Sequence, residues 1–126
     1  MLFAVGRMVP FAMQAAIELM GKGISAGVVD ARFIAPMDEA LLLKQAQKVH
    51  LVVTVEENVA CGGFGEGVLG VLAKAGLSIP VMTLAVPERF IDHATTEQQL
   101  EECGLTPDGI ARRVQKRLLE MTEART

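Results

Sequence analysis

The sequence of 126 residues has the length of one domain, a formal net charge of −3 and a hydrophobic content of 51%, with neither Trp nor Tyr. The weak charge and the scarcity of aromatic rings exclude a basic or base-stacking surface for nucleic acid. No apolar run approaches the ~20 residues of a membrane-spanning helix, and the residues after Met1 lack the pattern of a signal peptide. The two isolated cysteines, Cys61 and Cys103, are typical of reduced thiols in a cytoplasmic protein.

The first third of the chain predicts a strand, a helix and a second strand. Residues 2–6 read as the strand, and the helix that follows has Pro10 in its first turn. Glycines at 21 and 23 end this helix, and residues 25–31 form the next strand. The apolar side chains of the helix that we note at helical spacing are Val9, Met13, Ala16 and Met20.

A second helix, a third strand and a third helix are predicted next. Asp38 can cap a helix that runs through Val49. The apolar side of that helix is formed by Leu42, Leu43, Ala46 and Val49. Residues 50–57 are nearly all apolar until their end, as in a strand covered by helices on both faces. A glycine-rich loop then opens a helix that extends through Ala75.

The last third of the chain adds one strand and two helices. Residues 79–86 predict the strand, and a short helix starts at Thr95 or Thr96 and ends at Gly104. Thr106 caps the final helix, with Pro107 at its first position. The predicted inward face of this helix consists of Ile110, Val114, Leu118 and Met121.

This alternation predicts an α/β fold, a three-layer α/β/α domain over residues 1–126 with a mainly parallel sheet of about four strands. Since residue 2 already lies in a predicted strand, we expect the chain to be one domain of a longer protein.

The glycine-rich loop supports two interpretations. Its glycines at 65, 67 and 70 match G-x-G-x-x-G after a strand, as in dinucleotide-binding domains. Against this, the fingerprint normally follows the first strand, and Glu56 and Glu57 would repel a pyrophosphate here. In the structural interpretation, Gly62 and Gly63 allow a tight turn with positive φ, while Gly65 and Gly67 let the helix start approach a neighbouring backbone.

The adjacent carboxylates Glu56 and Glu57 suggest general acid–base catalysis, but adjacent strand residues point to opposite faces and do not share one site. We therefore expect these glutamates to pair with a base such as Arg32 or to accept hydrogen bonds from loop amides. Arg32 itself suits an anion ligand or an interface ion pair equally. No second ligand is spaced to make a metal site with His50 or His93.

Three stretches resemble the C-terminal domain of 1-deoxy-D-xylulose 5-phosphate synthase over residues 2–118. They are GISAGVVDARFIAPMDEALL, HLVVTVEENVACGGFGEGVLGVLA and PVMTLAVPERFIDHATTEQQLEECGLTPDGI. The first two are shared more loosely with transketolase and with 2-oxoacid dehydrogenase beta subunits. The third stretch favours the synthase.

The resemblance implies a transferase that joins pyruvate and glyceraldehyde 3-phosphate with loss of carbon dioxide, for isoprenoid and thiamine biosynthesis. It implies thiamine diphosphate and Mg²⁺ held by the two preceding domains of the same chain, and a homodimer. No nucleic acid or membrane partner is implied.

The sequence departs from the full enzyme in lacking the diphosphate and metal motif, which is Gly-Asp-Gly followed later by Asn. The one Asp-Gly pair is Asp108–Gly109, and the single Asn58 precedes it. The edge strand expected before residue 2 is also missing, and Ala94 stands where the family usually has glycine. We therefore expect no catalytic, cofactor-binding or metal-binding residue in this chain.

The candidates for turn geometry and for domain or subunit contact are Arg32, Glu56, Glu57, Gly62, Gly63 and Gly65. The alternatives are the equivalent domain of a 2-oxoacid dehydrogenase beta subunit or a transketolase, and a freestanding flavodoxin-like domain that binds phosphate or a nucleotide.

Overall fold

The computed structural model describes residues 1–6, 8–30, 39–59, 63–86 and 96–124. Its strands are Leu2–Ala4 (β1), Val28–Asp30 (β2), Val52–Val59 (β3) and Val81–Val86 (β4). Its helices are Met8–Met20 (α1), Glu39–Ala46 (α2), Phe64–Lys74 (α3), Thr96–Glu102 (α4) and Pro107–Ala124 (α5). Each predicted helix and strand is found, with ends that differ from the predicted ones by a few residues. Among the described residues, no helix is both long enough and apolar enough to cross a membrane.

The four strands form one sheet in the order β2-β1-β3-β4, and every pairing is parallel. The three-residue strand β1 lies between two partners, so that Phe3 is opposite both Val29 and Thr54. The chain leaves β1 towards β2 and later returns to the other side of β1 with β3. Ligands of open α/β sheets bind at such a change of direction, beyond the carboxyl ends of the strands.

Side chains of the strands alternate between two apolar clusters, one on each face of the sheet. Leu2 and Ala4 of β1 pack in the cluster that contains the buried residues of α1 and α5. Phe3 packs in the other cluster, with the buried residues of α2 and α3. Two helical layers therefore enclose the sheet, which confirms the predicted three-layer α/β/α architecture.

The predicted inward faces of α2 and α5 are confirmed. Leu42 and Ala46 are fully buried in α2, and Ile110 and Val114 are buried in α5. The start of α5 is also as predicted, because the Gly109 amide donates a hydrogen bond of 3.1 Å to Oγ1 of Thr106.

The apolar residues that the sequence analysis singled out in α1 are not the buried ones. The buried side chains are Met8, Ala12, Ala15 and Leu19, whereas Met13 and Met20 are 55% and 70% exposed. Because α1 has one charged residue, Glu18, apolar side chains repeat at helical spacing on more than one of its faces. Hydrophobic periodicity alone therefore could not predict which face of α1 packs against the sheet.

Candidate functional site

The candidate site lies where β3 ends and α3 begins, beside the change of strand order. Of the predicted site residues, Arg32 and Gly62 lie outside the described residues. Glu57 belongs to β3, but its side chain is not among the described ones. The structure therefore defines the positions of Glu56, Gly63 and Gly65.

Glu56 is a fully buried carboxylate in the second half of β3. It lies two residues beyond Thr54 and four beyond Val52, so strand alternation places its side chain on the face covered by α2 and α3. Its Oε1 accepts a hydrogen bond of 2.9 Å from the Phe64 amide, and its Oε2 accepts one of 2.7 Å from the Gly65 amide. Glu56 thus caps the amino end of α3 from the adjacent strand.

Gly63 is the residue that precedes α3, and it has extended backbone angles, φ −85° and ψ −175°. The predicted positive φ is therefore wrong at this position. Extended angles are those of an ordinary helix cap, which any residue can adopt. Since glycine has no side chain to cap the helix, the first amides of α3 rely on the carboxylate supplied by Glu56.

Gly65 permits the close approach of α3 to the sheet. A Cβ atom at this position would overlap Cγ2 of Thr83 and would lie 2.9 Å from Oγ1 of Thr54. The predicted close approach is therefore found, although it is made to side chains of β4 and β3 and not to their backbones. The sequence analysis missed these two threonines, which are the third residues of β3 and of β4.

The hydroxyl of Thr54 adds a buried polar atom to this contact. Its Oγ1 has no hydrogen-bond partner among the described residues. A Cβ atom built on Gly65 would nearly touch that oxygen, so the start of α3 leaves little room beside it. The backbone of Gly65 therefore packs directly beside the hydroxyl of Thr54.

The positive amino end of α3 is already compensated by a hydrogen-bonded carboxylate. Two N–H groups and the positive end of a helix dipole favour an anion at the start of α3. The carboxylate of Glu56 already occupies that position, with both oxygens hydrogen-bonded. A phosphate could bind these amides only by displacing a buried carboxylate, which would then lose its partners.

A metal-bridged diphosphate does not fit this site. Within the part of the chain that the structure describes, no three His, Cys, Asp or Glu side chains are grouped to hold a metal ion. Mg²⁺ takes oxygen ligands, and the one buried carboxylate here is committed to backbone amides. We therefore derive no chemical step through such a group at this position.

We expect inorganic diphosphate with Mg²⁺ to leave the Phe64 and Gly65 amide resonances of the protein unchanged, because Glu56 holds both N–H groups. A two-dimensional NMR titration measures this directly. Sodium chloride at the same ionic strength is the control for general salt effects. Saturable shifts of both amides would instead show that the loop is an anion site.

A cavity of about 680 Å³ lies at the opposite edge of the sheet, near the amino ends of the strands. The Met1 ammonium group donates a hydrogen bond of 2.9 Å to the Leu51 carbonyl beside it, and burial lowers the pKa of that group. His50 lines this cavity and is exposed. The polar side chains in its lining are Ser25, Lys48 and His50, and none of the lining residues is Asp, Glu or Cys.

The chain matches one protein family over most of its length. Residues 1–110 match the family described as "Transketolase, C-terminal domain". Two similar proteins, from Syntrophotalea carbinolica and Synechococcus sp., are both named 1-deoxy-D-xylulose-5-phosphate synthase. They are 44% and 46% identical over 87% and 90% of this chain, which spans only 17% and 18% of their own length.

A solved structure shows the same fold. It is described as "Split gene transketolase, inactive beta4 tetramer", and it superimposes with a TM-score of 0.81 at 37% sequence identity. The match covers 91% of this chain and 37% of that chain. Together with the three-layer sheet architecture and the family match over residues 1–110, this similarity shows that the chain belongs to the transketolase C-terminal domain family.

Proposed function

We propose that this chain is the C-terminal domain of a 1-deoxy-D-xylulose 5-phosphate synthase, and that it supports an active site held by preceding domains. The main support for this proposal is how the chain aligns with the similar proteins. Nearly the whole chain is 44% and 46% identical to two proteins of that name, yet it spans less than one fifth of each. A segment of that kind corresponds to a domain of a larger enzyme.

The proposed enzyme condenses pyruvate with glyceraldehyde 3-phosphate and releases carbon dioxide. Thiamine diphosphate and Mg²⁺ would be bound by the preceding domains, since the described residues of this chain offer no fitting ligand set. Cys103 is not part of a disulfide, which suits the cytoplasm, where thiols stay reduced. Arg32, Glu57 and Gly62 remain candidates for contact with the preceding domains or with a second subunit.

The geometry of the β3–α3 junction supports a role in scaffolding. Glu56, Gly65 and the two threonines hold the start of α3 against the sheet, and the amides of Phe64 and Gly65 are already paired with the carboxylate of Glu56. Such a junction fixes the carboxyl edge of the sheet, where the loops after each strand emerge.

A domain exchange tests the proposed function. We expect the Syntrophotalea carbinolica synthase to keep its activity within about tenfold, ~1.4 kcal/mol in the barrier, when its matching 110 residues are replaced by those of this chain. The readout is release of carbon dioxide from pyruvate that depends on glyceraldehyde 3-phosphate. The same synthase without the segment is the control and should be inactive.

Transketolase is a second candidate, because the similar solved structure is a split gene transketolase. The corresponding exchange into a transketolase separates the two candidates. Activity of that chimera combined with a folded but inactive synthase chimera would contradict the first proposal and favour the second. The reverse result would exclude transketolase.

A further inference from the structure

The cavity at the amino ends of the strands has apolar walls below a polar rim. Its floor is closed by Leu2 of β1 and Val53 of β3, which are both buried. Its walls carry three half-buried apolar side chains from separate parts of the chain, Ile24, Val49 and Leu118. Each of these three side chains keeps apolar surface that a bound molecule would remove from water.

The rim of the cavity is formed by two loops. Ser25 belongs to the loop between α1 and β2, whereas Lys48 and His50 belong to the loop between α2 and β3. All three residues are exposed. An apolar interior with a few polar groups at its mouth, and a volume of about 680 Å³, is typical of small-molecule sites. The apolar walls favour a ligand with an apolar body.

The rim carries positive charge without a compensating carboxylate. Lys48 holds one permanent positive charge, and His50 has ring nitrogens that donate or accept hydrogen bonds. Neither side chain has an ion-pair partner among the described residues. The unpaired ammonium group of Lys48 therefore favours an anionic head group on the ligand.

The charge of the head group follows from that of the rim. A carboxylate carries one negative charge, which the single ammonium group of Lys48 balances. A phosphate monoester carries about −1.5 to −2 at neutral pH and would keep unbalanced charge beside apolar walls. The rim therefore favours a monocarboxylate over a phosphate ester.

We propose that this cavity is a binding site for a small monocarboxylate with an apolar body. The apolar body lies against Ile24, Val49 and Leu118, and the carboxylate accepts hydrogen bonds from Lys48 and His50 at the rim. The cavity lies at the edge of the sheet opposite the β3–α3 junction. This inference therefore does not depend on the proposed function.

Isothermal titration calorimetry of the 126-residue chain with octanoate tests the site. We expect saturable binding of one octanoate per chain. Acetate has the carboxylate with hardly any apolar body, and 1-octanol has the apolar body without the charge. Acetate should show no measurable binding, and 1-octanol should bind about fivefold or more weakly than octanoate, because it cannot form a charge-assisted hydrogen bond.

Lys48→Gln tests the assigned head-group contact. We expect this variant to weaken octanoate binding about fivefold and to leave the affinity for 1-octanol unchanged, since only the charge is lost. Lys44→Gln is the matched control, because Lys44 is exposed on α2 and does not line the cavity. It should leave the binding of both ligands unchanged.

Two-dimensional NMR of the same titration locates the ligand. The amide resonances of Ser25 and Gly27 should shift with octanoate, because both residues line the cavity. Those of Phe64 and Gly65, at the opposite edge of the sheet, should stay unchanged. The absence of saturable binding would overturn the proposal, and so would equal effects of Lys48→Gln and Lys44→Gln or equal affinities for octanoate and 1-octanol.

The synthase chimera tests whether the cavity stays open in a longer chain. We expect octanoate binding that Lys48→Gln weakens about fivefold, as in the 126-residue chain. Loss of that binding in the chimera would overturn the proposal, because preceding residues would then occupy the cavity. An inactive chimera that still binds octanoate in this way would contradict the proposed function and leave the carboxylate site intact.

Discussion

Replacing Glu56 with alanine is expected to lower the free energy of unfolding by about 3–5 kcal/mol, a large part of the stability of a domain of this size. The carboxylate is fully buried, and both of its oxygens accept hydrogen bonds from backbone amides of α3. Its removal leaves the N–H groups of Phe64 and Gly65 without an acceptor and opens a cavity beneath the helix start. Urea unfolding followed by circular dichroism measures the change.

Two further variants show whether the carboxylate acts as a cap. Glu56→Gln keeps the shape of the side chain but offers one oxygen acceptor for two amides, so a smaller loss of about 2 kcal/mol is expected. Glu39→Gln changes an exposed carboxylate in the first turn of α2 and should cost less than about 1 kcal/mol. Equal effects of Glu56→Gln and Glu39→Gln would contradict the assigned cap.

Gly65→Ala is the second large effect, with an expected loss of about 2–3 kcal/mol in the free energy of unfolding. The new methyl group would overlap Cγ2 of Thr83 and press on Oγ1 of Thr54, so α3 must move away from the sheet. That movement would also lengthen the hydrogen bond between the Gly65 amide and Glu56, which is 2.7 Å in the parent chain. Thermal and urea unfolding both report the loss.

Helix α3 also provides a control substitution that should change the free energy of unfolding in the opposite direction. A Cβ at Gly70 would meet nothing within 4 Å, so Gly70→Ala should stabilise the protein by about 0.5–1 kcal/mol through helix propensity alone. Thr83→Ser removes the methyl group that Gly65→Ala would strike, and the double variant should recover part of the loss. Additive effects of Gly65→Ala and Thr83→Ser would show that this contact is not the cause.

The sequence predicted most of the fold because hydrophobic periodicity depends on local residue order. On α5, charged residues fill the outer side, so Ile110 and Val114 could be placed in the core. The same reasoning did not identify the buried face of α1, whose outer side is as apolar as its inner side. Packing against the sheet and α5 determines which of the two faces of α1 is buried.

The candidate site was only partly predictable. Two partners for Glu56 were consistent with the sequence, a basic residue or the loop amides, and the structure shows the amides. Selecting them requires knowing that α3 comes close enough to the sheet for Gly65 to touch Thr83, a residue of another strand. This distance depends on strand order and register, which are not local properties of the sequence.

The position of β1 between β2 and β3 has a consequence for biosynthesis. Of the four strands, this three-residue strand leaves the ribosome before the others, but one of its two partners, residues 52–59, follows only after some fifty further residues. Until then the nascent chain can pair β1 on one side alone, and its apolar side chains stay accessible to chaperones or to other nascent chains. Pairing of β1 on both sides therefore has to wait until residues 52–59 have left the exit tunnel.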